Sequence, residues 1–529
     1  MRRSGTLLAL LIVTITVVAS GCFMVGPDYV QPEAETNESW RPVDDEGIEL
    51  AAEPINAWWE AFGDPVLDEL IVLAYRQNPT LEQAGLRVVE AQARRGIAIG
   101  ALFPQTQEAR GGYQRTELSK NTAGNLAIAP FSNWQAGFDA AWELDVWGRF
   151  RRGIEEADAQ LLGAVASYDD VLVSLIAEVA SNYVLLRSLE ERLVVERRNA
   201  GIQGRTYEIV EAKFNNGFVT ELDLVQARAL VRNTESFIPV TEAELRQTEN
   251  TLAILLGSPP RDLSDLLGGP APIPVPPPQV AVGIPADLLR RRPDVRTAER
   301  RLAAQSARIG VAYSDLLPRF LLAGSIGLSS EDLKDFFEGD SYQGFGGPEF
   351  RWAILSYGRI RSNIRVQDAR YQQLVSAYED TVLRAQGEVE NAVAAFLGTQ
   401  RQVALLKQSV EASQRAVEIA NLQYREGLND YGRVLVAQEF LSDQENVYVR
   451  AQGAVGVALV AVYKGLGGGW ALRGEDNFIR DETAEQMRDR TNWGRVLDTG
   501  RQSKDVGEAE AYGEQSQGWW RWRLWLPTF

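Results

Sequence analysis

The sequence predicts an α+β membrane protein in which a few β-strands cross a membrane and long coiled-coil helices extend away from it. Three observations carry this prediction. The chain of 529 residues contains an internal tandem duplication. Apolar residues recur at every seventh position over long stretches, as they do in coiled coils. Short segments alternate polar and apolar side chains over the ~9–11 residues that a membrane-spanning strand needs.

Residues 1–21 predict a secretory signal peptide. Arg2 and Arg3 supply its positive start, and Leu7–Val18 forms an apolar segment too short for a comfortable transmembrane helix. Small residues then lead to Cys22, the one cysteine of the chain, in an arrangement that resembles a bacterial lipoprotein cleavage site. We therefore expect a covalent lipid on Cys22, followed by an extended segment over residues 22–62. Ordinary signal cleavage that leaves Cys22 unmodified is the alternative.

Membrane contact after the signal peptide is expected to come from strands. No apolar stretch beyond Cys22 reaches the ~20 residues of a transmembrane helix, and strands are the other structure that can span a bilayer.

The residues around Cys22 also bear on the lipoprotein signal. Ala19 departs from lipoprotein sites, which usually carry leucine there. Phe23 is not the aspartate that resembles an inner-membrane retention signal, so the outer membrane is favoured.

The duplication is visible as two gap-free alignments. Asn78–Gln105 aligns with Arg292–Arg319, and Trp142–Arg151 aligns with Trp352–Arg361. The matching segments follow one another in the same order in both halves of the chain. A repeat this long indicates a duplicated domain rather than a solenoid.

Domain boundaries follow from these alignments. We place the first repeat at residues 63–260 and the second at residues 283–470. Residues 261–282 are rich in proline and are expected to form an extended linker. Residues 471–529 have no counterpart in the repeat and are expected to form a polar, flexible tail with a tryptophan-rich end.

Each repeat is expected to contain a pair of long helices. The second repeat has an unbroken seven-residue series, Val382, Val389, Phe396, Val403, Val410, Val417 and Tyr424. This spacing predicts a left-handed supercoil. Gly217 and Gly427 interrupt the helix pairs and allow the chain to reverse, because glycine tolerates the conformations of tight turns. A coiled-coil scaffold without a pore is the alternative.

Each repeat is also expected to contain two strands. They are placed at about residues 105–117 and 131–145 in the first repeat, and at about 319–329 and 346–355 in the second. The first strand is the weakest, because Glu108 and Arg110 fall on one of its faces. Four strands cannot close a barrel, whereas three copies of the chain would supply twelve. Half-buried strands of a soluble sheet are the alternative.

The composition argues against catalysis and nucleic-acid binding. The chain has no histidine, which removes the commonest general base and metal ligand. A single cysteine excludes disulfides and cysteine-rich metal sites within one chain. A net charge of −18 without a basic run is unfavourable for nucleic acid. We therefore expect no enzymatic activity, and no cofactor beyond the lipid on Cys22.

Several long motifs in the correct order resemble the outer membrane efflux proteins. These are the TolC-like ducts, and the likeness is to their lipoprotein branch, which serves RND-type tripartite drug pumps. The motifs are VGPDYVQP (Val25–Pro32), WWEAFGDPVLDEL (Trp58–Leu70), WELDVWGRFRR (Trp142–Arg152), GIPADLLRRRPDVRTAERRL (Gly283–Leu302) and VYKGLGGGW (Val462–Trp470). Together they cover about residues 22–470.

This resemblance implies a lipid-anchored homotrimer in the bacterial outer membrane. Its three chains would form a twelve-stranded β-barrel, four strands per chain, continued through the periplasm by an α-helical coiled-coil barrel. The inner end would dock a periplasmic adaptor that couples it to an RND-type inner-membrane pump. The duct would conduct drugs and other small toxic compounds passively to the exterior. A lipoprotein scaffold of the envelope that has no pore remains the alternative function.

By the same resemblance the two glycine turns lie at the periplasmic tips, where related ducts carry a gate aspartate. The gap-free match falls on Asn429, but Asp430 is the acidic residue. Three copies of Asp430 around an axis would repel one another and attract cations, which predicts a charged constriction. A solvated turn aspartate is the alternative. Arg425 and Arg433 are candidates for salt links that hold the tip shut.

Other motifs that suggest chemistry have simpler interpretations. The adjacent acids Asp169 and Asp170 do not face each other on a helix, so they form no catalytic pair. The basic triple Arg290–Arg292 precedes a helix start, and a structural role is favoured over polyanion binding. The segment Gly518–Phe529 is predicted to be either an assembly signal or an aromatic–basic stretch that lies at a membrane interface.

Overall fold

The structure is a computed structural model that describes residues 24–41, 45, 47–49, 55–119, 130–283, 285–287, 291–474 and 476–498. The predicted signal peptide, the lipidation site Cys22, Arg290 and the tryptophan-rich segment lie outside the described residues. The described helices are α1 (Pro65–Gln77), α2 (Pro79–Gly100), α3 (Arg149–Asn215), α4 (Glu221–Leu255), α5 (Ser264–Leu267), α6 (Pro293–Ser314), α7 (Arg359–Arg425), α8 (Tyr431–Gly465) and α9 (Asp481–Arg490). The described strands are β1 (Ile48–Glu49), β2 (Thr106–Thr116), β3 (Phe131–Leu144), β4 (Val280–Ala281), β5 (Arg319–Ser330) and β6 (Tyr342–Arg351).

The helices repeat in the register found in the sequence. Helix α7 begins and ends at the positions that match the two ends of α3, and α8 matches α4 in the same way. Helix α6 likewise begins and ends at the positions aligned with the ends of α2. The predicted tandem duplication is therefore confirmed. Helices α3 and α7 each have 67 residues, which corresponds to a length of ~100 Å.

The apolar stripe of the second repeat packs inward as predicted. Val382, Val389 and Phe396 lie in the main core, where none is more than 2% exposed. Val410, Val417 and Tyr424 continue the stripe toward the glycine turn and are also buried. Helix α3 contains a stretch long and apolar enough to cross a membrane, but 67% of that stretch is buried inside the protein. This stretch of α3 packs as part of the core.

The four long strands form one antiparallel sheet in the order β2–β3–β5–β6. Strands β2, β3 and β5 lie close to the predicted segments, whereas β6 covers residues 342–351 instead of about 346–355. The difference has a physical cause at the end of β6. The Trp352 indole donates a hydrogen bond to the Leu316 carbonyl at 2.9 Å, and Tyr357 and Gly358 then adopt positive φ angles that lead into α7.

Part of the predicted flexible tail is folded. Residues 476–498, here called the C-terminal extension, include helix α9 and pack on α2 through a small apolar cluster. The buried members of this cluster are Val89, Ile479, Ala484, Met487 and Leu497. The prediction of flexibility was therefore wrong for this stretch. Its few apolar residues are separated by charged ones, so the sequence has no apolar periodicity that would predict a packed helix there.

The C-terminal extension approaches α2 at a glycine. A Cβ atom added to Gly85 would lie 1.8 Å from the carbonyl oxygen of Phe478. The Phe478 ring meets Tyr168 of α3 edge to face, with ring centroids 5.0 Å apart. Arg480 also forms an ion pair with Glu82 of α2 at 3.2 Å. The start of the C-terminal extension is thus held by backbone contact, ring contact and charge.

A buried carboxylate ties the chain just before the C-terminal extension to the helices. The Asp169 side chain is fully buried, with Arg473 Nε at 3.2 Å and Arg296 Nη1 at 3.5 Å. Its neighbour Asp170 is only partly buried, so the two acids have separate surroundings. Arg292 of the basic triple donates hydrogen bonds to the Gly465 carbonyl and to Asp294. Arg292 thus makes structural contacts, the role that the sequence favoured for the basic triple.

Candidate functional site

The four-stranded sheet has one apolar face and one polar face. Residues paired across an antiparallel sheet share a face. On the apolar face, aromatic rings form one band near the helices and another at the far end of the strands, with aliphatic residues and Phe138 between them. The near band is Trp142, Phe320 and Phe350, and the far band is Tyr113, Trp134 and Tyr342. An apolar belt between two aromatic bands is typical of strands that face lipid.

The opposite face carries polar and charged side chains. Arg110 pairs with Asp139 at 3.2 Å. Near the helices, four charges of alternating sign form a network in which Arg149 lies 3.6 Å from both Glu143 and Asp315, and Arg319 lies 2.6 Å from Asp315. Glu108 and Arg110, which weakened the prediction of the first strand, both lie on this face. A polar face opposite a lipid-type face is suited to a water-filled lumen.

Tryptophan side chains fix the junction between sheet and helices at matching positions of the two repeats. The Trp142 indole donates a hydrogen bond to the Leu102 carbonyl at 3.0 Å. Its counterpart Trp352 donates to the Leu316 carbonyl at 2.9 Å. The sheet is therefore held against α2 and α6 in the same way in both halves.

Both edges of this sheet lack a further strand among the described residues. Strand β2 pairs only with β3, and β6 pairs only with β5. Because each neighbouring pair is antiparallel, β6 runs antiparallel to β2. The β6 edge of one copy can thus pair with the β2 edge of another copy in an antiparallel arrangement. The apolar faces of the two sheets would then form one continuous surface.

At the opposite end of the long helices lie the two glycine turns. Gly217 and Gly427 have φ angles of 76° and 74°, the left-handed conformation that glycine adopts without strain. Thr220 begins α4 in a capping box with Asp223. Asp430 occupies the matching position of the second repeat, where it caps α8 by accepting a hydrogen bond from the Arg433 backbone N–H at 3.2 Å. Asp430 is therefore an exposed carboxylate with a defined structural role.

The two helix hairpins meet at this tip in a small apolar cluster. Its buried members are Val210, Leu224, Ala227, Ala420, Tyr424, Tyr431 and Val434. Burial raises the pKa of Tyr431 to about 12, with Tyr424 and Asp223 adding to the shift. Burial also raises the pKa of Tyr424, to which Asp223 again contributes. Both phenols stay neutral at physiological pH and contribute to the packing of the tip.

A lysine that the sequence reasoning missed joins the two hairpins. Lys213, in the last turn of α3, donates a hydrogen bond to the Tyr424 carbonyl at 3.0 Å, and its ammonium lies 3.9 Å from the centre of the Tyr424 ring. A cation is stabilised both by a helix C-terminus and by an aromatic face. One lysine in a charged helix gives no sequence signal, because its partner lies in the other half of the chain.

The other predicted tip residues are near one another but make few contacts within one chain. The Asn429 amide donates a hydrogen bond to Gln423. Arg425 reaches the Asn421 carbonyl, and only the backbone of Arg433 bonds to Asp430. Within the described part of one chain, neither the Arg425 nor the Arg433 guanidinium has an acidic partner. The predicted salt links that hold the tip shut therefore remain a prediction.

Residues 24–41, here called the N-terminal strap, begin at the junction of sheet and helices. The Val25 N–H donates a hydrogen bond to the Trp147 carbonyl at 3.1 Å. Arg152 of α3 reaches back to Asp28 at 2.8 Å. The strap then follows the helices, where the Asn37 N–H donates to the Gln386 side chain at 3.0 Å. The chain therefore enters the described fold beside the base of the sheet.

Comparisons with known proteins agree with this geometry. The family described as "Outer membrane efflux protein" matches residues 70–258 and 284–468, one segment in each half of the chain. The chain is 33% identical to the pyoverdine export outer membrane protein OpmQ of Pseudomonas putida, over 79% of this chain and 89% of that protein. It is 30% identical to the toluene efflux pump outer membrane protein TtgF of Pseudomonas putida, over 87% of this chain and 96% of that protein.

The fold has a solved counterpart of the same kind. The structure of the outer-membrane channel OprN is 32% identical and superimposes with a TM-score of 0.79, covering 84% of this chain and 99% of that one. The two-faced sheet and the long helix hairpins are thus parts of a known channel architecture. The chain belongs to the outer membrane efflux protein family, as an outer-membrane channel of an efflux system.

Proposed function

We propose that three copies of the chain close into one duct that conducts small molecules passively out of the cell. The observation that supports this is the sheet with one apolar face, one polar face and two unpaired edges. A barrel of about eight strands is filled by its own side chains, so two copies would leave no lumen. Twelve strands, four from each of three copies, enclose a water-filled lumen lined by the polar face.

The duct is proposed to continue through the helices and to receive its cargo from other proteins. A periplasmic adaptor would dock at the tips and couple the duct to an RND-type pump of the inner membrane, which supplies the energy. Membership of the efflux family supports this arrangement. We propose no catalytic step and no cofactor other than a lipid, in keeping with a chain that has no histidine.

Single-channel recording tests the proposed function. The purified protein is reconstituted in planar bilayers, and its copy number is measured by native mass spectrometry. Discrete conductance steps from a particle of three chains are expected. A particle that forms no steps, although it is intact and inserted, would support the pore-free scaffold instead.

A lipid on Cys22 is proposed to anchor the duct to the membrane that the sheet spans. Val25 contacts the base of the sheet through Trp147, and the intervening residues extend at most ~3.6 Å each. Acyl chains on Cys22, three residues before Val25, would therefore be within reach of the base of the sheet. Mass spectrometry of the mature protein should show loss of residues 1–21 and added acyl mass, and Cys22→Ser should lack that mass. A free thiol on mature Cys22 would contradict the anchor.

Asp430 is proposed to form a charged constriction at the tip. Asp430→Ala removes both the carboxylate and the helix cap, so ion leakage through the closed duct should rise several-fold. Asp430→Asn is the matched variant, because asparagine also caps helices well but carries no charge. It should weaken the preference for cations over anions and leave the leak nearly unchanged. Unaltered closure in Asp430→Ala together with unaltered selectivity in Asp430→Asn would rule out the gate role.

A further inference from the structure

The polar face of the sheet carries one aromatic ring in its interior. Through the strand pairing, Phe345 shares this face with Ser325, Asp139 and Glu108, which lie in one row across the strands. Among the described strand residues the other ring on this face is Phe131, which lies at the far end, at the start of β3. Phe345 is 70% exposed. A large apolar side chain therefore projects from the middle of a mainly polar face, whose other large apolar side chains, Leu321 and Phe131, lie toward its two ends.

Packing within the chain gives this ring little support. Its cross-strand partner is Ser325, and the diagonal neighbours on β5 are Ala323 and Gly327, all too small to cover a phenyl ring. Along β6 the neighbours on the same face are Gln343, which is exposed, and Gly347. Stabilisation by an apolar side chain scales with the area it removes from water, so a ring this exposed adds little to folding.

The same row also carries negative charge. Strands are spaced ~4.8 Å apart, so the β3 position of Asp139 lies ~10 Å from the β6 position of Phe345. Asp139 is partly neutralised by Arg110 at 3.2 Å, whereas Glu108 on the edge strand is exposed. Aromatic faces attract organic cations, and nearby carboxylates add a longer-range attraction. A ring with carboxylates farther along the same row is suited to a cation with an apolar body.

We propose that Phe345 is a contact point for lipophilic organic cations as they pass through the lumen. The inference rests on the proposed function, because the polar face becomes the lumen wall only in a closed barrel. Three copies would then place three phenyl rings at one level of a mainly polar wall. Each ring would delay an aromatic cation while letting small hydrated ions pass.

Transient block of the single-channel current tests this proposal. Tetraphenylphosphonium serves as the lipophilic cation, and tetramethylammonium as a small cation without rings. Phe345→Ser should shorten the dwell time of tetraphenylphosphonium about two- to five-fold, the range expected for one exposed cation–ring contact. Phe345→Tyr should retain the wild-type dwell time, and block by tetramethylammonium should not change.

Gln343→Ser is the matched control, because Gln343 is exposed on the same face of the same strand. It should leave the dwell time unaltered, and all variants should keep the open-channel conductance of the wild type. Equal dwell times in wild type and Phe345→Ser, or absence of block in the wild type, would overturn the role of Phe345 while the channel itself still conducts. A wild-type protein that does not conduct would instead contradict the proposed function.

Discussion

Gly85→Ala is expected to detach the C-terminal extension from helix α2. The added methyl group would lie 1.8 Å from the Phe478 carbonyl oxygen and 2.7 Å from its carbon. Both atoms belong to the backbone, so a side-chain rotation cannot relieve the overlap. Because each fully buried apolar side chain stabilises by about 1.5–3 kcal/mol, losing the contacts of Phe478, Ile479 and Met487 should cost at least ~3 kcal/mol of local stability. Limited proteolysis should then cleave within residues 476–498 much faster than in the wild type.

Gly96→Ala is the matched control for this variant. Gly96 lies on the same helix, and a Cβ atom there would meet nothing within 4 Å. Alanine is favoured over glycine in a helix interior by about 1 kcal/mol, so this variant should be at least as stable as the wild type. Equal proteolysis of both variants would show that the C-terminal extension is not held at Gly85.

Asp169→Ala is expected to destabilise the protein by about 3 kcal/mol. Removing one partner of a buried ion pair commonly costs about 3–5 kcal/mol, and the lower end applies because Arg473 and Arg296 keep 14% and 32% of their side-chain surface exposed. The unpaired arginines should also loosen the chain that leads into the C-terminal extension. The midpoint of urea unfolding, measured on the intact protein, reports the change.

Two comparisons separate charge from volume at this position. Asp170→Ala removes a neighbouring carboxylate that is only partly buried, and its effect should stay within about 1 kcal/mol. Asp169→Asn keeps the volume and a hydrogen-bond acceptor for Arg473, so its loss should fall between those of the two alanine variants. Equal midpoints for Asp169→Ala and Asp170→Ala would contradict the importance of the buried ion pair.

The long helices could be predicted because their signals are local and repeated. The seven-residue series from Val382 to Tyr424 follows from the need to bury one seam of the helix. The two turn glycines follow from the need for a positive φ angle. The strands were harder to delimit. In β6 the residues Gly344, Gly346 and Gly347 have no side chain to mark a face, so the alternation was visible only near the end of the strand.

Contacts between distant parts of the chain could not be predicted. The approach of Phe478 to Gly85 joins residues near opposite ends of the chain, and neither residue type is unusual by itself. Lys213 and Tyr424 form another such pair at the tip. The charge of Asp430 is visible in the sequence, whereas its role as a helix cap follows only from its position at the start of α8.

The unpaired edges of the sheet have a consequence for cells that make both wild-type and variant chains. In the ring of three copies proposed above, a copy whose helices fold but whose edge strand is disrupted would occupy one position and leave the barrel open. If intact and altered chains are present in equal amounts, only about one such ring in eight would contain three intact copies. When wild-type and variant chains are expressed together, substitutions in β2 or β6 should therefore lower transport by the wild-type chain. Substitutions that prevent the helices from folding should not, because such chains would not enter the ring.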